Sequence, residues 1–166
     1  MPATFRVIKA DLMKLDAYAK PIKAAAERTK QGMLRDYQAG VATWRHPVSF
    51  ESQVVFNLNG AVSVRVDTDD DIYTFVHEGT KAHIIRPRRA RSLRFQSGYQ
   101  AKTTPGAIKA GPGGSFGTTV FSKGVMHPGS AARNFTKTIF DKWTPFWGRE
   151  MKRALDEGAS KSGHSI

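Results

Sequence analysis

The chain is 166 residues long and 40% apolar, enough to build a core within one domain spanning 1–166. It has no cysteine, which excludes a disulfide framework, cysteine-ligated zinc and a thiol nucleophile, and no apolar run approaches the ~20 residues a membrane helix needs. The 26 basic and 14 acidic residues leave a formal charge of +12. That field attracts nucleic acid, an acidic protein ring or a membrane surface without choosing among them. The stretch 1–9 lacks a continuous apolar core, so a soluble intracellular product without a signal peptide is expected.

Residues 9–40 read as helical. Leu12, Leu15, Tyr18 and Ala19 recur at three- and four-residue steps. Pro21 interrupts them and suits the first turn of a second helix, where its missing N–H costs nothing. Ile22, Ala25, Ala26, Thr29, Met33 and Tyr37 form that helix's apolar stripe, and Gly40 is a stop. His46-Pro47 marks the change to extended chain. Phe50, Val54, Phe56 and Leu58 share one parity, as do Val62, Val64 and Val66. Asn59-Gly60 between them favours a type I′ turn, so 49–67 reads as an antiparallel hairpin packing its apolar face on the helices.

Asp67-Thr68-Asp69-Asp70-Asp71 is an acidic turn. Asp70 or Asp71 caps a short helix with Ile72, Phe75 and Val76 on one side and Gly79 at its end. A second hairpin is expected over 83–96: Ile84 and Arg86 run out, 87–90 turns, and Leu93 and Phe95 return. The glycine- and proline-rich segment 97–118 is long for a compact domain, a length that signals function or disorder. It reads as an extended arm that orders on assembly. Thr119, Val120 and Phe121 form a short strand. Ser130 is placed to cap a last helix over 130–157, with Phe135, Ile139, Phe140, Trp143, Phe146, Trp147, Met151 and Leu155 on its apolar stripe. Pro145 should kink or split it, and 158–166 reads as a mobile tail. The expected class is α+β: an antiparallel sheet of hairpins (49–125) packed against N-terminal helices and a long C-terminal helix.

Chemical motifs are weak. Asp67, Asp69, Asp71 and Glu78 match positions of a calcium loop, but Ile72 stands where that loop needs glycine. Gly113-Gly114-Ser115-Phe116-Gly117 has the letters of a nucleophile elbow without the strand before it or the helix after it. His77, His83 and His127 with Glu78 lack zinc-motif spacing. No catalytic residue, metal or cofactor is therefore assigned. Arg86, Arg88, Arg89, Arg91 and Arg94 form the densest basic cluster, either a solvated face that protects a strand edge or a ridge contacting an anionic partner.

Two stretches carry a family resemblance. The first is Phe75-Val76-x-Glu78-Gly79-Thr80-Lys81-x-His83-x-Ile85-x-Pro87, preceded by Trp44-Arg45-His46-Pro47 and followed by Leu93-x-Phe95. The second is His127-Pro128-Gly129 with Ala132-Arg133-x-Phe135. In this order they resemble the neck or tail-completion proteins of long-tailed bacteriophages, from Trp44 to the last helix. The resemblance implies a non-enzymatic virion protein, assembled in the host cytoplasm, that forms a homo-oligomeric ring, commonly sixfold, at the head-proximal end of the tail. Such a ring joins the tail terminator to the head-closure connector around a DNA channel, with only non-specific DNA contact and no membrane. It implies turn and assembly roles for Glu78, Gly79, Thr80, His83, Pro87, His127, Pro128, Gly129 and Arg133. A basic nucleic-acid-binding protein is the alternative reading.

Overall fold

In a computed structural model, which describes residues 16–57 and 60–164, the chain is α+β. Its elements are α1 (Asp16–Val41), β1 (Glu51–Phe56), β2 (Val62–Asp67), α2 (Asp71–Glu78), six short strands between 83 and 127, and α3 (Phe135–Lys161). No helix among the described residues is long and apolar enough to cross a membrane.

The two long helices run antiparallel along a seam built on close approach. Tyr18 lies against Gly158, Arg28 bonds Glu150, and the Trp143 indole covers Gly32. The Trp143 Nε1–H donates to Asp36 Oδ2 at 2.6 Å, and Lys142 pairs with the same carboxylate at 2.7 Å. These contacts correct the expected break at Pro21, which lies inside an uninterrupted α1. Pro145 likewise lies inside α3 without splitting it. Each proline removes one helical hydrogen bond, and packing along the seam offsets that loss. Leu12 and Leu15, expected on the first helical stripe, lie outside the described residues.

The end of α3 is also corrected. Gly158 and Ala159 are buried, and the helix continues to Lys161. Ser162 N–H then donates to the Gly158 carbonyl (3.0 Å) and His164 N–H to the Ala159 carbonyl (2.9 Å). The described part of that expected tail, 158–164, is a docked helix end, because glycine at 158 admits the Tyr18 ring.

At its start, α3 begins at Phe135 rather than 130. Arg133 and Asn134 donate their backbone N–H groups to the His77 carbonyl at 3.0 and 3.1 Å. Arg133 and Asn134 thus satisfy carbonyls of the last turn of α2. Asn134, with φ 51°, turns the chain into α3, a conformation asparagine tolerates better than most residues.

The first hairpin forms, with Phe56 opposite Val62 and Glu51 opposite Asp67. Val62, Val64 and Val66 turn toward the helices, while Phe56 stays half exposed. Asn57 N–H donates to the Ala61 carbonyl (2.9 Å), and Gly60 takes φ 80°. The closing pair is therefore Asn57 with Ala61, one residue wider than a two-residue turn at Asn59-Gly60 allows. Leu58 and Asn59 themselves lie outside the described residues.

Asp70, of the two capping candidates, holds the N-terminus of α2, accepting the Tyr73 N–H at 2.7 Å. The face of α2 is corrected: Tyr73 is its buried residue and Val76 packs beside it, whereas Ile72 and Phe75 are exposed. Tyr73, Tyr37, Phe135 and Ile139 make the core, with Met33, Phe50, Val66 and Trp143 against it. Tyr73 meets Phe50 edge-on at 5.3 Å and stacks on Phe135 at 5.5 Å. Such pairs add roughly 0.5–1.5 kcal/mol each beyond burial. Burial also pushes the Tyr73 phenol pKa up.

Gly32→Val should lose roughly 2 kcal/mol, because its side chain meets the Trp143 ring. Gly148→Ala, with open space around it, should gain about 0.5–1 kcal/mol. Urea denaturation of both variants measures this. A second test uses acid. The His46 hydrogen bond, then the Tyr73 N–H, lowers the Asp70 pKa. Its contribution is present above the ordinary aspartate pKa of about 4 and is lost as pH falls through the lowered folded value. Stabilities of wild type and His46→Ala should therefore differ at pH 5–6 and converge below about pH 4.

Candidate functional site

The six short strands form nested antiparallel pairs. They are β3 (His83–Ile85) with β8 (Val125–His127), β4 (Leu93–Gln96) with β7 (Thr119–Ser122), and β5 (Tyr99–Gln100) with β6 (Gly114–Ser115). The chain runs out along one side of a two-stranded ribbon and returns along the other. The expected local hairpin over 83–96 is absent: β3 and β4 each pair with the returning strand instead. That arrangement sets Ile84 opposite Met126 and Phe95 opposite Val120. It offers both segments apolar cross-strand neighbours and frees Pro87, which has no N–H to donate, from any ladder.

Between the first two pairs, residues 86–92 on the outgoing side face only 123–124 on the return. The surplus forms an outward excursion containing Arg86, Pro87, Arg88, Arg89 and Arg91. Arg94 follows within β4, opposite Phe121. All five arginines are exposed, and none forms an ion pair among the described residues.

The ribbon leaves the body at a backbone crossing. Thr80 and Ser130, fifty residues apart, exchange both backbone hydrogen bonds at 3.0 Å, and their hydroxyls meet at 3.1 Å. Glycine flanks the crossing on both strands because a Cβ there would strike the opposite backbone. Gly79 has φ 77°, and a Cβ there would stand 2.5 Å from the Ser130 carbonyl oxygen. Gly129 has φ 88°, and a Cβ there would strike the Thr80 carbonyl oxygen. Glu78 and Pro128 are exposed beside it.

Just beyond, His83 and His127 face each other across the ribbon with ring centroids 5.1 Å apart. His127 Nδ1 accepts the Gly129 N–H at 3.0 Å, while His83 Nδ1 lies 2.8 Å from the Lys81 carbonyl. Each histidine thereby holds a turn at the ribbon base. His77 stands apart in the core, stacked on Tyr73. Among the described residues, no three histidine, aspartate or glutamate side chains gather as metal ligands.

The 97–118 segment, expected as an extended arm, carries β5 and β6 and turns its middle back toward α1. Ala110 N–H donates to the Ala39 carbonyl (3.1 Å), Thr43 Oγ1 to the Gly111 carbonyl (2.8 Å), and Lys102 Nζ to the Thr43 carbonyl. Ile108 packs against the core. Arg133, one of the resemblance residues, reaches Thr103 Oγ1 at 3.3 Å and the Ala131 carbonyl at 2.7 Å. The ribbon therefore arches over a cleft of about 470 Å³ lined by Trp44, Arg45, Tyr99, Lys102 and Arg133. Thr103 and Ile108 were not singled out from sequence. Ile108 had a signal, as an isolated aliphatic residue in a polar, glycine-rich stretch.

Compared with family models, curated proteins and solved structures, the chain matches none. The site is thus described by its own geometry: two stretches distant in sequence meet at one crossing and project a basic ribbon.

Comparing Gly79→Ala at the crossing with Gly60→Ala in the β1–β2 turn separates strain from contact. Both residues have positive φ, but nothing lies near a Cβ at Gly60. Gly60→Ala should cost on the order of 1–2 kcal/mol, and Gly79→Ala should add roughly 1–3 kcal/mol of backbone overlap. Chemical denaturation reads the difference.

Proposed function

We propose that this protein is a structural, non-enzymatic virion component that forms a ring at the head-proximal end of a phage tail. In this reading it is assembled in the host cytoplasm and joins the tail terminator to the head connector around the DNA channel. The observation that carries the reading is the Thr80–Ser130 crossing. The two stretches resembling neck and tail-completion proteins supply its two strands, and their glycines serve backbone geometry rather than chemistry. Motif residues that set shape suit a protein whose task is assembly.

A second reading, a nucleic-acid-binding protein, draws on the exposed Arg86, Arg88, Arg89 and Arg91, which have no carboxylate partner among the described residues. Its signature is DNA affinity that falls steeply with salt. A ring around DNA would show weak, non-specific affinity as well, so affinity alone does not separate the two.

Electron microscopy of lysates from a phage lacking this gene separates them. Full heads beside separate tails of normal length are expected. Intact infectious particles would remove the neck assignment and leave nucleic-acid binding in front.

A further inference from the structure

We propose that the ribbon is the subunit-joining element: its arginine excursion and apolar face dock on the outward face of α2 of a second copy of this chain. The choice of a second copy rests on the ring reading above.

The ribbon is incomplete as it stands. It is two strands wide throughout, and two-stranded ribbons are marginally stable in water. Ile84 and Met126, cross-strand partners on one face, are 54% and 64% exposed, and Phe121 is 67% exposed. Five arginines without ion-pair partners among the described residues stand among them, so the ribbon combines apolar surface with positive charge.

The complementary surface lies on α2. Asp71, Phe75 and Glu78 stand at i, i+4 and i+7 and share one helix face. All three are exposed, Phe75 by 58%, with Ile72 beside them and Asp69 just before the cap. Most other carboxylates are committed within the chain: Asp36 to Lys142, Glu150 to Arg28, Asp141 to Lys137, Asp156 to Lys152 and Glu157 to Lys161. Asp69, Asp71 and Glu78 have no ion-pair partner among the described residues. In a strongly basic protein, the main uncommitted acidic patch coincides with an unpaired apolar helix face. An apolar, basic ribbon matches it in both respects.

The two surfaces are different patches of one subunit, so the contact is heterologous. Repeated head to tail, it closes into a ring when the rotation permits. The adjoining crossing fixes where the ribbon leaves α2, and with it the geometry passed from one subunit to the next.

Light scattering of the full-length protein at low and moderate salt tests this. Wild type should self-associate. Arg88→Glu/Arg89→Glu/Arg91→Glu should weaken association by at least about tenfold, as should Asp69→Lys/Glu78→Lys, which leaves the Asp70 cap in place. An equimolar mixture of the two variants should restore assembly, because every ribbon then meets an α2 face of opposite sign. Circular dichroism establishes that each variant is folded.

A second measurement does not depend on charge reversal. Since the chain has no cysteine, Phe75→Cys and Met126→Cys can be mixed and treated with a short bis-maleimide. Heterodimers should form in the mixture and not from either variant alone. A wild type that does not associate, or cysteine variants that do not cross-link when mixed, overturns the proposal, as do charge-reversed variants that assemble normally. An arginine variant that loses only DNA binding would assign the excursion to DNA instead. None of these results bears on the gene-deletion phenotype, so the neck reading stands or falls separately.

Discussion

The fold depends on a short exchange of backbone hydrogen bonds between Thr80 and Ser130. The ribbon from 81 to 129 leaves the body at that point and returns to it there, and the chain after it leads into α3, which packs on α1. The exchange requires two backbones to approach more closely than any side chain permits, which places glycine at 79 and 129. The same crossing delivers Arg133 and Asn134 to the last carbonyls of α2. One local arrangement therefore ends a short helix, launches the ribbon and sets where α3 begins.

Around it, the core is aromatic rather than aliphatic. Tyr37 of α1, Phe50 just before β1, Tyr73 of α2 and Phe135 of α3 hold these elements together through tilted, edge-on and stacked contacts. Rings fill space between elements that cross at varied angles, with geometry that aliphatic chains do not impose. The long helices then extend away from this knot along a narrow seam, where Gly32 and Gly158 each receive a ring from the opposite helix. Body and ribbon are thus stabilised differently. The body is held by buried rings and interhelical ion pairs, and the ribbon by strand pairs anchored at both ends.

Elements ruled by short-range chemistry were legible in the sequence. The parity of Val62, Val64 and Val66, the Asp70 cap and the Gly79 stop each follow from residues within a few positions of one another. What failed was decided by distant partners. The 83–96 segment contains two strands and a turn-like proline, but their partners lie at 119–127, beyond the reach of any local pattern. Ser130 has the chemistry of a cap, yet its backbone is engaged with Thr80. Pro21 and Pro145 would end isolated helices, whereas helices packed on each other along a seam absorb them. The α2 stripe misled for a different reason: Ile72 and Phe75 are apolar but face outward, while the amphipathic Tyr73 faces in.

That last inversion bears on what the molecule does. A short helix that buries a tyrosine whose hydroxyl has no hydrogen-bond partner among the described residues, and exposes an isoleucine and a phenylalanine, is poorly explained by the stability of one chain. Burying the phenol without a hydrogen bond is unfavourable, and exposing Phe75 forgoes the gain of burial. Both costs fall on α2, next to the crossing that fixes the ribbon. The ribbon shows the same imbalance, with exposed Met126 and Phe121 beside arginines that have no ion-pair partner among the described residues. Two surfaces with the same shortfall and opposite charge, set on either side of one backbone crossing, are the physical basis of the subunit contact proposed above.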